Sequence, residues 1–161
     1  GETAAGKYPV EATKMMDNVA LATEEKIDYI EQFRSKLIKP GDDVHQAMAH
    51  AACQTALEIG AKVIICCTRS GQTARLVSKF RPHAAIAVAS PYEDVLMRTM
   101  LLWGTCPIKI KYAESTDEMI DQAKKAALET RLATTGDRVV IVAGIPFDIP
   151  GITNIIKADV L

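Results

Sequence analysis

The fold follows from one stretch of the sequence, Lys62-Val63-Ile64-Ile65-Cys66-Cys67, and from the residues directly behind it, Thr68-Arg69-Ser70-Gly71-Gln72-Thr73. The first six form a nearly continuous apolar run, which is typical of a strand buried on both faces in a parallel sheet. The next six are polar and include a glycine, and a helix is predicted behind them, from about Thr73 to Phe80. The stretch therefore predicts a strand, a tight polar turn and a helix.

The same alternation of elements continues on both sides of this stretch. Three further strands and two further helices are predicted, over 85–89, 106–110, 138–143, 94–102 and 116–132. Upstream, a helix is predicted over 43–59, and Gly60 suits the left-handed position behind its end. Residues 154–160 read as a fifth strand. The loop before it has only about ten residues, and a parallel return normally needs a dozen or more, so this strand is expected to lie antiparallel beside the fourth.

These elements predict a three-layer α/β/α fold around a five-stranded, mostly parallel sheet whose last strand is antiparallel. Ligands of open parallel sheets bind outside the carboxyl ends of the strands, where the strand order reverses. If the first strand is central, the turn 68–73 and the Gly/Pro-rich loop 144–153 flank one crevice at that edge. Gly144, Gly151 and Thr153 are candidates to line it. A plain connection stiffened by Pro146 and Pro150 is the alternative for this loop.

Composition excludes several classes of protein. The 161 residues carry 19 basic and 20 acidic side chains, and this near-zero charge argues against a nucleic-acid partner bound by counterion release. An apolar fraction of 48% is too high for a disordered chain, and no uncharged apolar run is long enough to span a membrane. The four cysteines form no C-x-x-C pair, which favours reduced, buried thiols over a zinc or redox site.

The polar turn 68–73 has the chemistry of a phosphate cradle. The first N–H groups of a helix lack internal partners and carry partial positive charge. Gly71 allows a tight turn or a close approach to a ligand, and Arg69 adds a fixed charge. Hydroxyl donors come from three side chains, Thr68, Ser70 and Thr73. The Walker and G-x-G-x-x-G patterns are both absent, and an ordinary turn capped by Thr73 remains the alternative.

The histidines are weaker candidates. His45 and His50 are five positions apart, about 140° around a helix, so they do not form a metal-binding pair. Together with His83 they are interpreted as surface or cap residues.

Several stretches together resemble the C-terminal part of pyruvate kinase. The opening, Gly1 to Ala12, is similar to the last loop and helix of that family's catalytic barrel. The other matching stretches are 52–56 and 60–64 at the start of its C-terminal domain, 68–75 and 78–82 at its phosphate-binding loop and following helix, and 136–143 and 150–154 at its last strands and effector loop. The likeness covers essentially the whole chain.

The resemblance implies a division of the chain and a regulatory role. Residues 1–40 would be the end of the barrel domain with linker helices, and residues 41–161 the C-terminal regulatory α/β domain. Because the chain begins at Gly1, within what resembles a loop, it is expected to be a fragment of a larger protein. The family transfers phosphoryl from phosphoenolpyruvate to ADP with magnesium and usually potassium, in a cytoplasmic homotetramer. Its C-terminal domain commonly binds a phosphorylated effector and contributes subunit contacts.

The resemblance also assigns residues to the effector. The phosphate would be held by Thr68, Arg69, Ser70, Gly71, Gln72 and Thr73, and the effector loop would contribute Gly144, Pro150, Gly151 and Thr153. The barrel's Lys, Glu and Asp, which position substrate and metal, are not in this chain, so it is expected to hold no metal or cofactor and to be inactive alone. Residues 145–149 contain no arginine, which leaves a sugar phosphate or a nucleoside monophosphate as the effector.

Two other classes of function stay open. A free-standing sugar-phosphate isomerase also uses a Ser-x-Ser-Gly-x-Thr loop after a strand, with Glu93 or His83 as its general base. A purely structural assembly domain would leave the cradle empty. The last strand, if it lies at an edge, could pair with its mate across a two-fold axis.

Overall fold

The computed structural model of the chain describes residues 1–36, 43–146, 149 and 151–161. At its centre lies a sheet of five strands, β1 (Val63–Cys67), β2 (Ala85–Ser90), β3 (Thr105–Lys109), β4 (Arg138–Ala143) and β5 (Ile155–Val160). The strand order is β3-β2-β1-β4-β5, with the first four strands parallel and β5 antiparallel to β4. The predicted sheet and its antiparallel last strand are therefore confirmed, and the first strand is the central one.

Helices lie on both sides of this sheet and upstream of it. They are α1 (Glu2–Ala5), α2 (Pro9–Glu24), α3 (Tyr29–Arg34), α4 (Val44–Ile59), α5 (Gln72–Lys79), α6 (Glu93–Thr99) and α7 (Thr116–Glu129). Gly60 ends α4 with a φ of +60°, which confirms the predicted left-handed cap. Helix α1 was not predicted, because its four residues are too few to show a period. No helix in the described ranges has both the length and the apolar character to cross a membrane.

Two apolar layers cover the two faces of the sheet. One contains Ile64 and Cys66 with buried side chains of α4 and α5, and the other contains Ile65 and Cys67 with those of α7. All five residues of β1 are buried, because helices cover both of its faces. The adjacent cysteines face opposite layers, as the two-residue period of a strand requires. This arrangement is the predicted three-layer α/β/α fold.

The residues upstream of α4 are organised differently. Helix α2 buries none of its side chains, and Met15 and Met16 on it are more than 60% exposed. Helix α3 is attached through Phe33, whose ring stacks on His50 at a centroid distance of 4.7 Å. The expected boundary between residues 40 and 41 lies outside the described residues.

Candidate functional site

The two predicted loops meet at the carboxyl ends of β1 and β4. A crevice of about 10 Å³ lies between them, lined by Cys67, Thr68, Arg69, Gly144, Ile149, Gly151 and Ile152. The crevice confirms that the central position of β1 brings the turn 68–73 and the loop 144–153 together. A space of this size holds about one water molecule, so a phosphate group fits only at its mouth.

The turn after β1 is held by its own hydroxyl groups. The Thr68 side chain is buried, and its Oγ1 accepts the N–H of Gly71 at 3.0 Å. Ser70 is exposed, and its Oγ accepts the N–H of Gln72 at 3.4 Å. Gly71 has a φ of +85°, and a Cβ there would lie 3.0 Å from Cγ2 of Thr99. Gly71 therefore serves a left-handed turn that packs tightly against α6.

Helix α5 begins directly behind this turn. Its first N–H groups, which carry partial positive charge, therefore follow shortly after Thr68 and Arg69, two residues that line the crevice. Ser70 and Gln72 expose their side chains there, whereas Thr73 is only 2% exposed. The predicted phosphate-binding residues thus fall into two groups, one facing solvent and one facing the protein interior.

Arg69 is positioned by a tyrosine that the sequence did not single out. Its Nη2 donates to the Tyr92 hydroxyl at 2.8 Å, and its guanidinium carbon lies 5.4 Å from the centroid of the Tyr92 ring. Both side chains are partly buried. Tyr92 directly precedes α6, so the orientation of a cation beside the crevice depends on a residue from the next strand–helix link.

The loop 144–153 is closed at its base by contacts that we call the neck, formed by Gly144, Ile145, Ile152 and Asn154. A Cβ on Gly144 would collide with the backbone of Ile152, whose carbonyl carbon would lie only 2.7 Å away. The Asn154 amide accepts the N–H of Ile145 at 2.8 Å and donates to its carbonyl at 2.7 Å. Gly144 is therefore required by a close backbone approach. Pro150 lies outside the described residues.

Thr153 links the loop 144–153 to two helices. Its side chain is fully buried, and its Oγ1 lies 2.8 Å from Oγ1 of Thr73 in α5. Its backbone N–H donates to Nδ1 of His45, in the first turn of α4, at 3.0 Å. His45, expected at the surface or as a cap, is instead partly buried, with a side-chain exposure of 31%. The sequence carried no signal for these contacts, which join positions 108 and 80 residues apart.

The electrostatics of the crevice are simple. Burial raises the pKa of the Cys67 thiol to about 12, so this lining residue stays neutral. The described His, Cys, Asp and Glu side chains form no group of three that could hold a metal ion.

The two bases considered for an isomerase do not meet at the crevice. Glu93 binds Nζ of Lys109 at 2.9 Å, and this hydrogen bond and the charge of Lys109 lower the pKa of Glu93. His83 precedes β2, at the opposite end of the sheet, where its ring centroid lies 5.0 Å from that of Tyr29.

A much larger cavity, the amino-end groove, lies where the strands begin. Its volume is about 970 Å³, and its walls come from the link between α2 and α3, from α3 itself and from the residues before β1 and β2. Apolar and aromatic side chains such as Ile27, Tyr29, Phe33 and Leu57 form much of its surface. None of the described residues predicted to bind phosphate or to form the effector loop lines it, whereas His83, considered as a general base, does.

Comparisons with known proteins agree with the fold described above. The family model for the pyruvate kinase alpha/beta domain matches residues 46–158. Pyruvate kinases of the Staphylococcus aureus strains bovine RF122 / ET3-1 and MRSA252 are each 39% identical over 159 residues, 98% of this chain and 27% of theirs. The chain thus spans little more than a quarter of the length of these curated relatives.

A solved structure agrees. The crystal structure of a pyruvate kinase from Cryptosporidium parvum superimposes with a TM-score of 0.84 at 30% sequence identity, over 99% of this chain and 31% of that one. Sequence and fold point to the same family over 98% and 99% of the chain, and the resemblance stated from the motifs is confirmed. The chain therefore belongs to the pyruvate kinase family and comprises its C-terminal alpha/beta domain with the residues that precede it.

Proposed function

We propose that this chain is the regulatory C-terminal part of a pyruvate kinase, and that the crevice mouth binds the phosphate group of a small effector. One observation carries the proposal. Thr68 and Arg69, at the start of the turn that leads into α5, face the effector loop across a shared crevice. Helix amino ends and hydroxyl groups are general binding partners for phosphate, and both are present at this point.

The burial of individual side chains divides their roles. Ser70 and Gln72 are exposed and donate directly to the phosphate, with Arg69 supplying a charge-assisted hydrogen bond from the side. Thr68 and Thr73 are buried and hydrogen-bonded within the protein. They act indirectly, by fixing the turn and the effector loop.

The charge of the effector loop favours a ligand with one phosphate. Residues 144–153 contain one aspartate and no lysine or arginine, so a second phosphate would meet no cation from this loop. A sugar monophosphate or a nucleoside monophosphate satisfies this condition, with its phosphate on α5 and its remainder toward the effector loop.

The catalytic activity belongs to the longer parent protein. We propose that the parent transfers phosphoryl from phosphoenolpyruvate to ADP, with magnesium and potassium bound by residues outside this chain. Residues 1–40 would complete its barrel domain and the linker, which is supported by the absence of buried side chains in α2. Phosphoryl transfer needs metal ions and cationic groups in position, so the chain alone is expected to form no pyruvate.

A contact between subunits is the second part of the proposal. Strand β5 lies at the border of the sheet, and its residues are exposed or half-buried. Uncovered edge strands invite pairing, and a two-fold axis would let β5 pair with β5 of a second copy in a homotetramer. Analytical ultracentrifugation tests this directly, because a mass of 17.5 kDa at every concentration would contradict the pairing.

Isothermal titration calorimetry tests effector binding. We expect heat with AMP or ribose 5-phosphate, less with inorganic phosphate, and no advantage for fructose 1,6-bisphosphate. Ser70→Ala should weaken binding about tenfold, because it removes a hydrogen bond to a charged group. Ser115→Ala, which removes the hydroxyl that caps α7, is the matched control and should leave affinity unchanged. Equal affinity of Ser70→Ala and the unmodified chain would contradict the proposed site.

A further inference from the structure

A buried chain of hydrogen bonds runs from α4 through the effector loop to α5. His45 Nδ1 accepts from the N–H of Thr153, and the hydroxyls of Thr153 and Thr73 are 2.8 Å apart. Thr153 and Thr73 are 0% and 2% exposed. This chain fixes a loop residue against the first turn of the helix whose amino end lies at the crevice.

We propose that His45 is a positioning residue of the effector site, which holds Thr153 so that the effector loop and α5 keep one relative geometry. The inference rests on the proposed function, because it concerns the geometry of that same site. His45 is not among the residues that line the crevice, so it acts on a ligand through Thr153.

The roles of the imidazole nitrogens follow from their neighbours. A backbone N–H can only donate, so the 3.0 Å contact with Thr153 requires an Nδ1 without a proton. The proton of the neutral ring is then on Nε2, which lies 3.9 Å from Oδ1 of Asp43. The Thr153 carbonyl oxygen is also near Nδ1, at 3.2 Å, but a bond to it would need the opposite tautomer. The shorter contact and the carboxylate on the Nε2 side agree with each other.

The neck alone does not set this geometry. The contacts of Gly144 and Asn154 close the base of the loop, whereas Thr153 contacts α4 and α5 directly. Gly151 and Ile152, which line the crevice, lie directly before Thr153 in sequence. Moving Thr153 therefore moves one wall of the crevice relative to Thr68 and Arg69 on the other.

Three variants of the 161-residue chain separate positioning from general packing. His45→Leu removes the acceptor, and we expect the affinity for ribose 5-phosphate to fall about tenfold. His45→Asn places an amide oxygen where Nδ1 lies, and its affinity should return to within about twofold of the original. His83→Leu makes the same chemical change at the other end of the sheet, and should leave the affinity unchanged.

Nuclear magnetic resonance of the His45 ring provides a second test, independent of the titrations. The ¹⁵N shifts of the His45 ring should report a neutral imidazole with its proton on Nε2. This signature depends on the bond to Thr153 and does not depend on ligand. Ring shifts of a free imidazole that averages between its two tautomers would overturn the inference even if His45→Leu failed to fold.

The outcomes distinguish the inference from the proposed function. If the unmodified chain binds ribose 5-phosphate and Ser70→Ala weakens it while His45→Leu does not, the proposed function stands and the role of His45 is wrong. If His45→Asn is as weak as His45→Leu, a positioning role is likewise overturned. If the unmodified chain binds neither ribose 5-phosphate nor AMP, the proposed function fails and the inference fails with it.

Discussion

The two ends of the sheet differ in cavity volume and in the number of ordered polar groups. At the amino ends lies a groove of about 970 Å³ with many apolar and aromatic side chains, and at the carboxyl ends a crevice of about 10 Å³ among hydrogen-bonded polar groups. The groove has ample room, whereas the crevice has a helix amino end, a guanidinium and two loops in fixed relation. The comparison shows that the proposed phosphate site offers ordered donors and little enclosed volume, whereas the groove offers volume.

The amino-end groove owes its size to the way α3 is attached. Its outer wall comes from the link before α3 and from α3 itself, and this segment is held mainly through Phe33, between His50 and Phe80. Lys36 adds two hydrogen bonds, from Nζ to the carbonyls of Phe80 at 3.1 Å and Lys79 at 3.3 Å. Few contacts thus hold α3 at the amino ends of the strands, whereas many short hydrogen bonds hold the loops at the carboxyl ends.

The largest expected effect tests whether the two ends are independent. Phe33→Ala should lower the free energy of unfolding by about 3–5 kcal/mol, because it removes a buried ring from the core. Urea unfolding followed by circular dichroism measures this loss. Effector affinity, measured well below the unfolding transition, should stay unchanged. A fall in affinity would show that the groove and the crevice are coupled.

Gly144→Ala tests the loop at the carboxyl ends of the strands. Its Cβ would collide with the backbone of Ile152, so the neck must open, at a cost of about 1–3 kcal/mol. Unlike Phe33→Ala, it should also abolish ribose 5-phosphate binding in calorimetry.

Gly136→Ala is the control for replacing a glycine. Its Cβ would meet open space, although its φ of +93° strains any side chain, so stability falls while binding persists. Retained binding in Gly144→Ala would contradict the role of the neck.

Acid should weaken the amino-end side of the sheet, where the last residues of β5 pair with the start of β4. Hydrogen bonds from Lys124 Nζ and from the backbone N–H of Val160 lower the pKa of Asp159 in β5 from 3.8 to about 2. The ionised form is thus favoured in the folded state, so this stabilisation is present above about pH 4 and is lost as the pH falls toward 2. At pH 7, Asp159→Asn should cost about 1 kcal/mol, since the pair is partly exposed.

Unfolding curves at pH 7 and near pH 2 provide the measurement for Asp159→Asn. The difference from the unmodified chain should disappear at the lower pH. Asp121→Asn, at an exposed position of α7, is the control and should show little difference at either pH. An undiminished cost near pH 2 would show that the carboxylate charge is not what stabilises β5.

The smallest effect concerns the thiols. Burial raises the pKa of Cys53, beside the groove, and of Cys67, at the crevice, to about 12 in each case. Cys106 is the half-buried thiol of the four. A thiol reagent should therefore modify Cys106 in the folded chain and the other three only on unfolding, with Cys106→Ser as the control. Native reaction of Cys53 at the rate of Cys106 would show that α3 detaches readily.

The sheet could be predicted because its signals are local. The apolar run 62–67 shows burial on both faces without knowledge of any partner, and the length of the link before residue 154 determines the direction of β5. The crevice followed from the same logic, since the centre of a parallel sheet brings particular loops together. The phosphate-binding role of those loops stays a prediction.

The side chains that organise the crevice could not be predicted. Thr73 looked like a ligand donor, but it faces the interior, since it lies on the inward side of the first turn of α5. His45, Tyr92 and Asn154 are ordinary residues in sequence, and they matter only through contacts made by folding. Residue type indicates which chemistry is available, whereas direction and partner are tertiary properties.

The closed neck of the loop 144–153, the proposed effector loop, has an evolutionary consequence. Gly144 packs directly against the backbone of Ile152, and the Asn154 side chain forms hydrogen bonds with both the N–H and the carbonyl of Ile145. The polypeptide therefore leaves and rejoins the sheet at one point. Insertions, deletions or replacements among the residues enclosed by this junction need not shift the pairing of the terminal strand. Ligand preference can then change through replacement of these few loop residues, while the sheet itself stays as it is.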